Sequence, residues 1–346
     1  MSDSRQPIRI GFCGAGKIVE THLGALARVD GMVATAIASR TLKSARKLAR
    51  RFEIPHASDD HQRLIDSPDV DLVFVATPNY LHAPLVIAAA EAGKHVAVEK
   101  PLAITLAAGK RMVAAARRNR VHLFYAEQLP LAPKSVAVAA AARAGEFGEI
   151  YLVKQTERHG GPYSPWFFRQ ETAGGGVLMD LGCHSISVIL DILPDRPIEA
   201  VAAMTRTFRH THGDVEDFAQ VRLEFEGGAV GLVENSWCYL GGFESVTEIN
   251  GSKGNLVADL GKGSGVTAYI ERDHPGRRAG SGGWHSPQYD PHWENGYVAQ
   301  FEAMRETVQA GAPYPQTGED GLRVLRIMLA AYKSAAGGGR PLKVSL

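Results

Sequence analysis

Cysteine is scarce in this chain: Cys13, Cys183 and Cys238 are the only three in 346 residues. They are too few and too scattered for a disulfide framework or a zinc site, and a reducing cytoplasm is the compartment such usage fits. Charge of one sign is not in excess either, since 38 Lys and Arg face 37 Asp and Glu for a net charge of +1. That balance offers no electrostatic case for nucleic acid or an anionic membrane as a partner. Long apolar runs are missing. The stretch Val86 to Ala90 soon meets Glu91 and Lys94, well short of the ~18 apolar residues of a membrane helix. Residues 1–6, Met-Ser-Asp-Ser-Arg-Gln, read as a polar tail and not as a signal peptide.

What is present is ample core. Apolar residues make up 45% of the chain, and its length exceeds what one core usually holds, so two domains are expected. Residues 1–128 alternate strand-like and helix-like patterns: strands at 8–13, 33–38, 70–76, 95–99 and 122–125, helices at 18–29, 42–52, 81–92 and 105–118. This is the rhythm of a parallel sheet covered on both faces. Residues 129–346 change character. Helices are expected at 132–144, 179–193, 297–310 and 318–335, and strands at 150–158, 198–208, 218–225, 230–238, 245–250 and 255–259. Turn signals such as Glu226-Gly227-Gly228 and Asn250-Gly251 between them indicate a mostly antiparallel open sheet in an α+β domain. The Gly, Ser and Arg-rich residues 275–283 read as a mobile loop.

The first strand ends in Gly14-Ala15-Gly16-Lys17-Ile18. Two glycines at that spacing permit a tight turn and a close approach of pyrophosphate to a helix amino terminus, which points to a dinucleotide. Val19 stands where the strict fingerprint has a third Gly or Ala. At the end of the second strand, Ser39-Arg40-Thr41-Leu42-Lys43 lacks the acidic residue that usually holds the ribose of NAD. Ser39 and Thr41 can donate to a 2′-phosphate, and Arg40 and Lys43 can pair with it, so NADP is favoured over NAD. Glu99-Lys100-Pro101 closes the apolar strand expected at 95–99, where doubly wound sheets bind ligands.

Four motifs in register then carry a family resemblance. Gly14-Ala-Gly16-Lys-Ile with His22, Thr77-Pro78-Asn79-Tyr-Leu-His82, Glu99-Lys100-Pro101, and Gly174-Gly-Gly-Val-Leu-Met-Asp180-Leu-Gly-Cys-His184 resemble the Gfo/Idh/MocA oxidoreductases. The resemblance implies a Rossmann domain that binds NAD or NADP. A C-terminal α+β domain would cover a sugar, inositol or related polyol and form a homodimer or homotetramer through its sheet. It also implies that Thr77, Pro78, Asn79 and His82 lie along the cofactor, with Glu99 and Lys100 beside the nicotinamide ribose and the reacting hydroxyl. Asp180 and His184 are spaced i, i+4, so one helix face could bring both to the substrate. His184 is expected to shuttle the proton, Asp180 to orient substrate or histidine, and Lys100 to stabilise alkoxide charge. Many relatives carry an acidic residue where this chain has Ser187.

Specificity is expected in residues 155–176, where Glu157, His159, Tyr163, Trp166 and Arg169 mix aromatic faces with hydrogen-bonding tips. A second cluster holds His285, Tyr289, His292 and Trp293, of which His292 is the expected substrate contact. His210 and His212 lack a third ligand, so no metal is expected. Two other functions stay open: a glycosidase, as found among relatives, that oxidises its substrate transiently with bound NAD, and, from another class, a cofactor-sensing regulator without chemistry. Retention of Lys100, Asp180 and His184 argues against the regulator.

Overall fold

The computed structural model describes residues 6–261, 268–270, 283–285 and 291–344. Its first half runs β1 (Ile8–Cys13), α1 (Lys17–Leu26), β2 (Met32–Ala38), α2 (Leu42–Arg51), β3 (His56–Ser58), α3 (His61–Ile65) and β4 (Leu72–Val75). Next come α4 (His82–Glu91), β5 (His95–Glu99), α5 (Leu106–Asn119) and β6 (Leu123–Ala126). All six strands are parallel in the order β3-β2-β1-β4-β5-β6. The order reverses between β1 and β4, and the carboxyl ends of those strands open the crevice where such sheets bind ligands. Ile10, Phe12, Leu72, Phe74, Val96 and Val98 are all inaccessible to solvent, because helices cover both faces and leave no polar side to alternate with. Side chains fix where helices begin: Thr41 accepts from the Ser44 amide at α2, Asp60 caps α3, and Thr105 caps α5. β3 and α3 were not anticipated, since three- and five-residue elements are too short to show a period.

The second half contains α6 (Pro133–Arg143), β7 (Ile150–Arg158), α7 (Gln170–Ala173), α8 (Val177–Asp180), α9 (Gly182–Ile192), β8 (Ile198–Arg206) and β9 (Phe218–Phe225). β10 (Val230–Ser236), β11 (Glu244–Gly251), β12 (Asn255–Asp259) and the small pair β13 (Ala268–Ile270) and β14 (Gly283–His285) follow. The chain then folds α10 (Pro291–Glu294), α11 (Tyr297–Ala310), α12 (Gly318–Ala336) and β15 (Leu342–Lys343). The large sheet has the order β12-β11-β7-β10-β9-β8-β15 and is antiparallel except where β10 lies parallel to β7. One face is apolar: Ala219, Val221, Leu223 and Phe225 of β9 point inward, alternating with Gln220, Arg222 and Glu224. That face packs on α9, which is buried along nearly its whole length. Tyr151, Met204 and Val257 of the sheet are exposed.

The two halves are knitted together at the end of the chain. α10 and α11 pack on α1, and Phe301, Met304 and Tyr314 join the core around Phe12 and Phe74. The helix expected over 179–193 is broken: α8 stops at Asp180 and α9 restarts at Gly182, and the segment Gln170–Asp180 is bent by 44° from α9. Asp180 and His184 therefore do not share one continuous helix face. No described single helix is long and apolar enough to cross a membrane. Residues 275–282, part of the expected mobile loop, lie outside the described residues.

Candidate active site

The glycine turn leaves β1 at the switch point, and its two glycines have different reasons. Gly14 has φ +124°, and a Cβ there would sit 2.2 Å from the Ala76 carbonyl oxygen, so the backbone crossing itself requires glycine. Gly16 has no such neighbour: nothing lies within 4 Å of where its Cβ would be. It is the N-cap of α1, and no side chain satisfies the amides behind it. An open, uncapped helix amino terminus at a switch point fits a pyrophosphate. The Thr77 hydroxyl, buried at the end of the adjacent β4 with no partner, is a further group a dinucleotide can satisfy. Ala15 and Ile18 pack on the core below the turn, and Lys17 Nζ lies 4.0 Å from the centroid of the Tyr163 ring.

Other expected cofactor residues have engagements within the protein. Ser39 Oγ donates to the Thr41 carbonyl at 2.9 Å, and Thr41 Oγ1 donates to Ser44 Oγ at 2.8 Å. Arg40 and Lys43 are left exposed at the end of β2. Asn79 is buried, and its Nδ2 donates to the Ala173 carbonyl at 2.8 Å, tying the loop of Thr77 and Pro78 to the segment that leads into α8. His82, expected along the cofactor, is fully buried instead. Its ring nitrogens lie 2.9 Å from the Pro101 carbonyl and 3.0 Å from the Thr77 carbonyl, so it braces two loops against each other. Glu99 is also turned inward: Oε1 meets His22 Nε2 at 2.5 Å and Oε2 accepts from the Lys100 amide at 3.1 Å. Burial pushes the Glu99 carboxyl up, but His22, Lys100 and His184 together hold it below the usual range.

Lys100 and His184 form the centre. Lys100 Nζ donates at 2.8 Å both to Asp180 Oδ1 and to the Asp180 carbonyl. An ammonium has three N–H bonds, so one remains for a substrate oxygen. Burial opposes the lysine charge, yet Asp180 and Glu99 outweigh it and hold Lys100 well above its ordinary value. Burial pushes the Asp180 carboxyl up, but Lys100 and His159 hold it below its ordinary value, and its Oδ2 accepts from Trp237 Nε1 at 3.1 Å. Asp180 is thus the partner of Lys100 and not the residue that orients the histidine. That partner is Glu127, whose Oε1 accepts from His184 Nδ1 at 2.6 Å. The hydrogen bond fixes the tautomer and leaves Nε2 as the reactive nitrogen. Burial lowers the basicity of His184, and the charges of Glu127 and Glu157 more than restore it.

Glu127, Cys183 and His184 offer ligand atoms within 4.8 Å of one another. A contact of 2.6 Å is a hydrogen bond, however, and two ligands of one zinc ion stand more than ~3 Å apart.

The expected specificity residues are brought to the same region in part. Glu157 is buried near the end of β7, its Oε2 without a partner. His159 Nε2 lies 3.9 Å from Asp180 Oδ2, and burial lowers its basicity. Trp166 stacks on Phe167 with ring centroids 3.8 Å apart, Tyr163 is exposed above Lys17, and Arg169 precedes α7. His292 rests on α1, its ring filling the space a Gly24 side chain would need. The side chains of His285 and Tyr289 lie outside the described residues. His210 and His212 pack around Phe168. Sequence reasoning missed Glu127 and Trp237. Glu127 had a signal, since it follows a parallel strand as Lys100 does; Trp237 had none beyond lying in the strand expected at 230–238.

Comparison with known proteins agrees with the two-domain fold. Residues 8–127 match a family model described as "Oxidoreductase family, NAD-binding Rossmann fold", and residues 136–257 match the GFO/IDH/MocA C-terminal domain. The chain is 30% identical over 340 residues to 1,5-anhydro-D-fructose reductase of Ensifer adhaerens, covering 95% of this chain and 97% of that protein. It is 28% identical over 330 residues to myo-inositol 2-dehydrogenase of Thermotoga maritima, covering 94% and 96%. Among solved structures, GenD2 from gentamicin A biosynthesis in complex with NAD superimposes with a TM-score of 0.90 at 31% identity, covering 100% of this chain and 98% of that one. Levoglucosan dehydrogenase in complex with NADH and levoglucosan gives 0.83 at 27% identity, with 99% and 100% covered.

Proposed function

The chain belongs to the Gfo/Idh/MocA oxidoreductases, and we propose that it is a dehydrogenase or reductase of a sugar, inositol or related ketone, with NADP(H) preferred. The observation that carries the reading is the pairing of Lys100 with Asp180 beside a tautomer-fixed His184. When bound, a nicotinamide dinucleotide supplies the acceptor or donor of hydride. The third N–H of Lys100 holds the reacting oxygen and stabilises charge that grows on it as the hydroxyl proton leaves. His184 Nε2 accepts that proton in oxidation and donates it in reduction. Asp180 keeps Lys100 charged and in place, while Trp237 and the bend after α8 fix Asp180. Glu157, His159, Tyr163 and Trp166 provide hydroxyl contacts and ring faces for the remainder of a polyol.

Exposed Arg40 and Lys43, with no acid at the end of β2, support the NADP preference. The relatives named above act on anhydrosugars and inositol, which supports a polyol here. The exposed side of the large sheet, with Tyr151, Met204 and Val257, is the surface on which a homodimer or homotetramer would form. A spectrophotometric panel of sugars and inositols with NADP+ and NAD+ tests the reading. Turnover with at least one polyol is expected, and Lys100→Ala should lower it by at least ~10² with cofactor binding retained. Tight cofactor binding with no oxidation of any polyol would refute it. Release of an aglycone from a glycoside without net cofactor reduction would favour the glycosidase.

A further inference from the structure

Lys100 takes two acceptors from Asp180, and one of them is backbone: the Asp180 carbonyl accepts from Nζ at 2.8 Å, as Oδ1 does. A carboxylate can follow a moving ammonium by rotating, but a carbonyl moves only with its chain. The position of Lys100 Nζ is therefore set by where α8 ends. That helix is four residues long, from Val177 to Asp180. Its own hydrogen bonds run from Asp180 N to the Gly176 carbonyl at 3.1 Å and from Leu181 N to the Val177 carbonyl at 2.7 Å. So short a helix does not hold itself in place. Whatever fixes its start fixes Asp180, about one turn further on.

The start of α8 is held by a single residue, Glu216, in the turn before β9. Gly176 N donates to both oxygens of its carboxylate at 3.1 Å, Leu178 N donates to Oε1 at 3.0 Å, and Val177 N donates to its carbonyl at 3.0 Å. Three consecutive amides that a helix start leaves without internal partners thus all go to Glu216. Tyr332 of α12 donates its hydroxyl to Oε1 at 2.7 Å and aims the carboxylate. The approach leaves no slack, since a Cβ on Gly176 would lie 1.8 Å from the Glu216 carbonyl oxygen. The next residue secures Asp180 from its other side: the Asp217 carbonyl accepts from Trp237 N at 2.8 Å, and Trp237 Nε1 donates to Asp180 Oδ2. We propose that Glu216 is a positioning residue for the reaction. Through α8 it places Asp180, and through Asp180 it holds Lys100 with its third N–H directed at the reacting oxygen. The inference rests on the dehydrogenase reading above.

The test uses the whole protein with Glu216→Ala, which frees the amides, and Glu216→Gln, which keeps an oxygen for them. Glu216→Ala should lower kcat for polyol oxidation at least about 10-fold, because small displacements of a reacting group are costly, with the dinucleotide Kd by calorimetry changed less than about threefold. Glu216→Gln should stay within about threefold of wild type. In a Lys100→Ala background Glu216→Ala should cost less than about twofold, since an effect that passes through Lys100 has nothing left to act on. Tyr332→Phe, which removes one hydroxyl, should show the same dependence on Lys100 at smaller amplitude and serves if Glu216→Ala does not fold. Equal losses in both backgrounds, or an unchanged kcat, overturn the proposal. A second readout needs no turnover. An amine is acylated in its neutral form, so Lys100 displaced from its Asp180 acceptors should react with acetic anhydride at least about fivefold faster, measured by peptide mass spectrometry against the other lysines. If the wild type oxidises no polyol, the dehydrogenase reading falls, whereas Lys100 acylated at the wild-type rate in Glu216→Ala overturns the present proposal on its own.

Discussion

Replacing Asp180 with Asn removes one negative charge from the pocket that keeps Lys100 cationic. Lys100 Nζ and Asp180 Oδ1 are 2.8 Å apart, where unit charges attract by about 6 kcal/mol at an effective dielectric of 20. Both groups are costly to bury, and Glu99 still favours the ammonium in the variant, so the net loss of stability should be about 3–5 kcal/mol. The loss should also depend on pH. In the wild type Asp180 is held below and Lys100 well above its ordinary value. The pair therefore stabilises the fold across the window between those two values, and the contribution vanishes as pH falls through the first or rises through the second. In the variant, burial becomes the dominant influence on Lys100 and favours its neutral form. Raising the pH then relieves the unpaired charge, and the deficit against wild type should narrow from neutral to alkaline solution. Urea unfolding of both proteins over that range measures it. A deficit under about 1 kcal/mol, or one independent of pH, would refute the account of Lys100 as a buried ammonium that depends on Asp180.

Four further outcomes are expected. Glu127→Gln should lower the basicity of His184, move the limb of kcat/KM for polyol oxidation that reports His184 to lower pH, and reduce turnover about 10-fold or more through lost orientation; an unmoved pH profile would separate Glu127 from His184. Arg40→Asp should lower the ratio of kcat/KM for NADP to that for NAD by at least about 10-fold, since a carboxylate repels a 2′-phosphate and accepts from ribose hydroxyls; an unchanged ratio in steady-state assays sinks the NADP preference. Gly14→Ala should cost about 2 kcal/mol or more in urea unfolding because its Cβ meets the Ala76 carbonyl. Gly16→Val, whose Cβ meets nothing within 4 Å, should keep stability within about 1 kcal/mol while weakening dinucleotide binding measured by calorimetry.

Much of this architecture is written locally. The buried strands β1, β4 and β5 appear as short apolar runs because helices on both faces remove the need for polar alternation, and Gly14 declares a turn because no side chain fits beneath Ala76 O. Lys100, Asp180 and His184 were legible as residues. Their pairings were not. An i, i+4 spacing suggested that Asp180 and His184 share one helix face and converge on the substrate, but the chain bends between them, and a bend at Leu181 leaves no trace in a periodic pattern. Asp180 instead reaches 80 residues back to Lys100, and His184 reaches 57 residues back to Glu127. Such partnerships depend on how α8 and α9 dock on the carboxyl ends of β5 and β6, and docking is a property of two surfaces that no segment contains by itself. The position of Glu127 was nevertheless open to inference. It follows β6 as Lys100 follows β5, and in a parallel sheet the residue just past a strand's carboxyl end faces the ligand crevice whichever strand carries it. A carboxyl carried into that crevice must find a cation, a donor or a proton, and Glu127 found the Nδ1–H of His184.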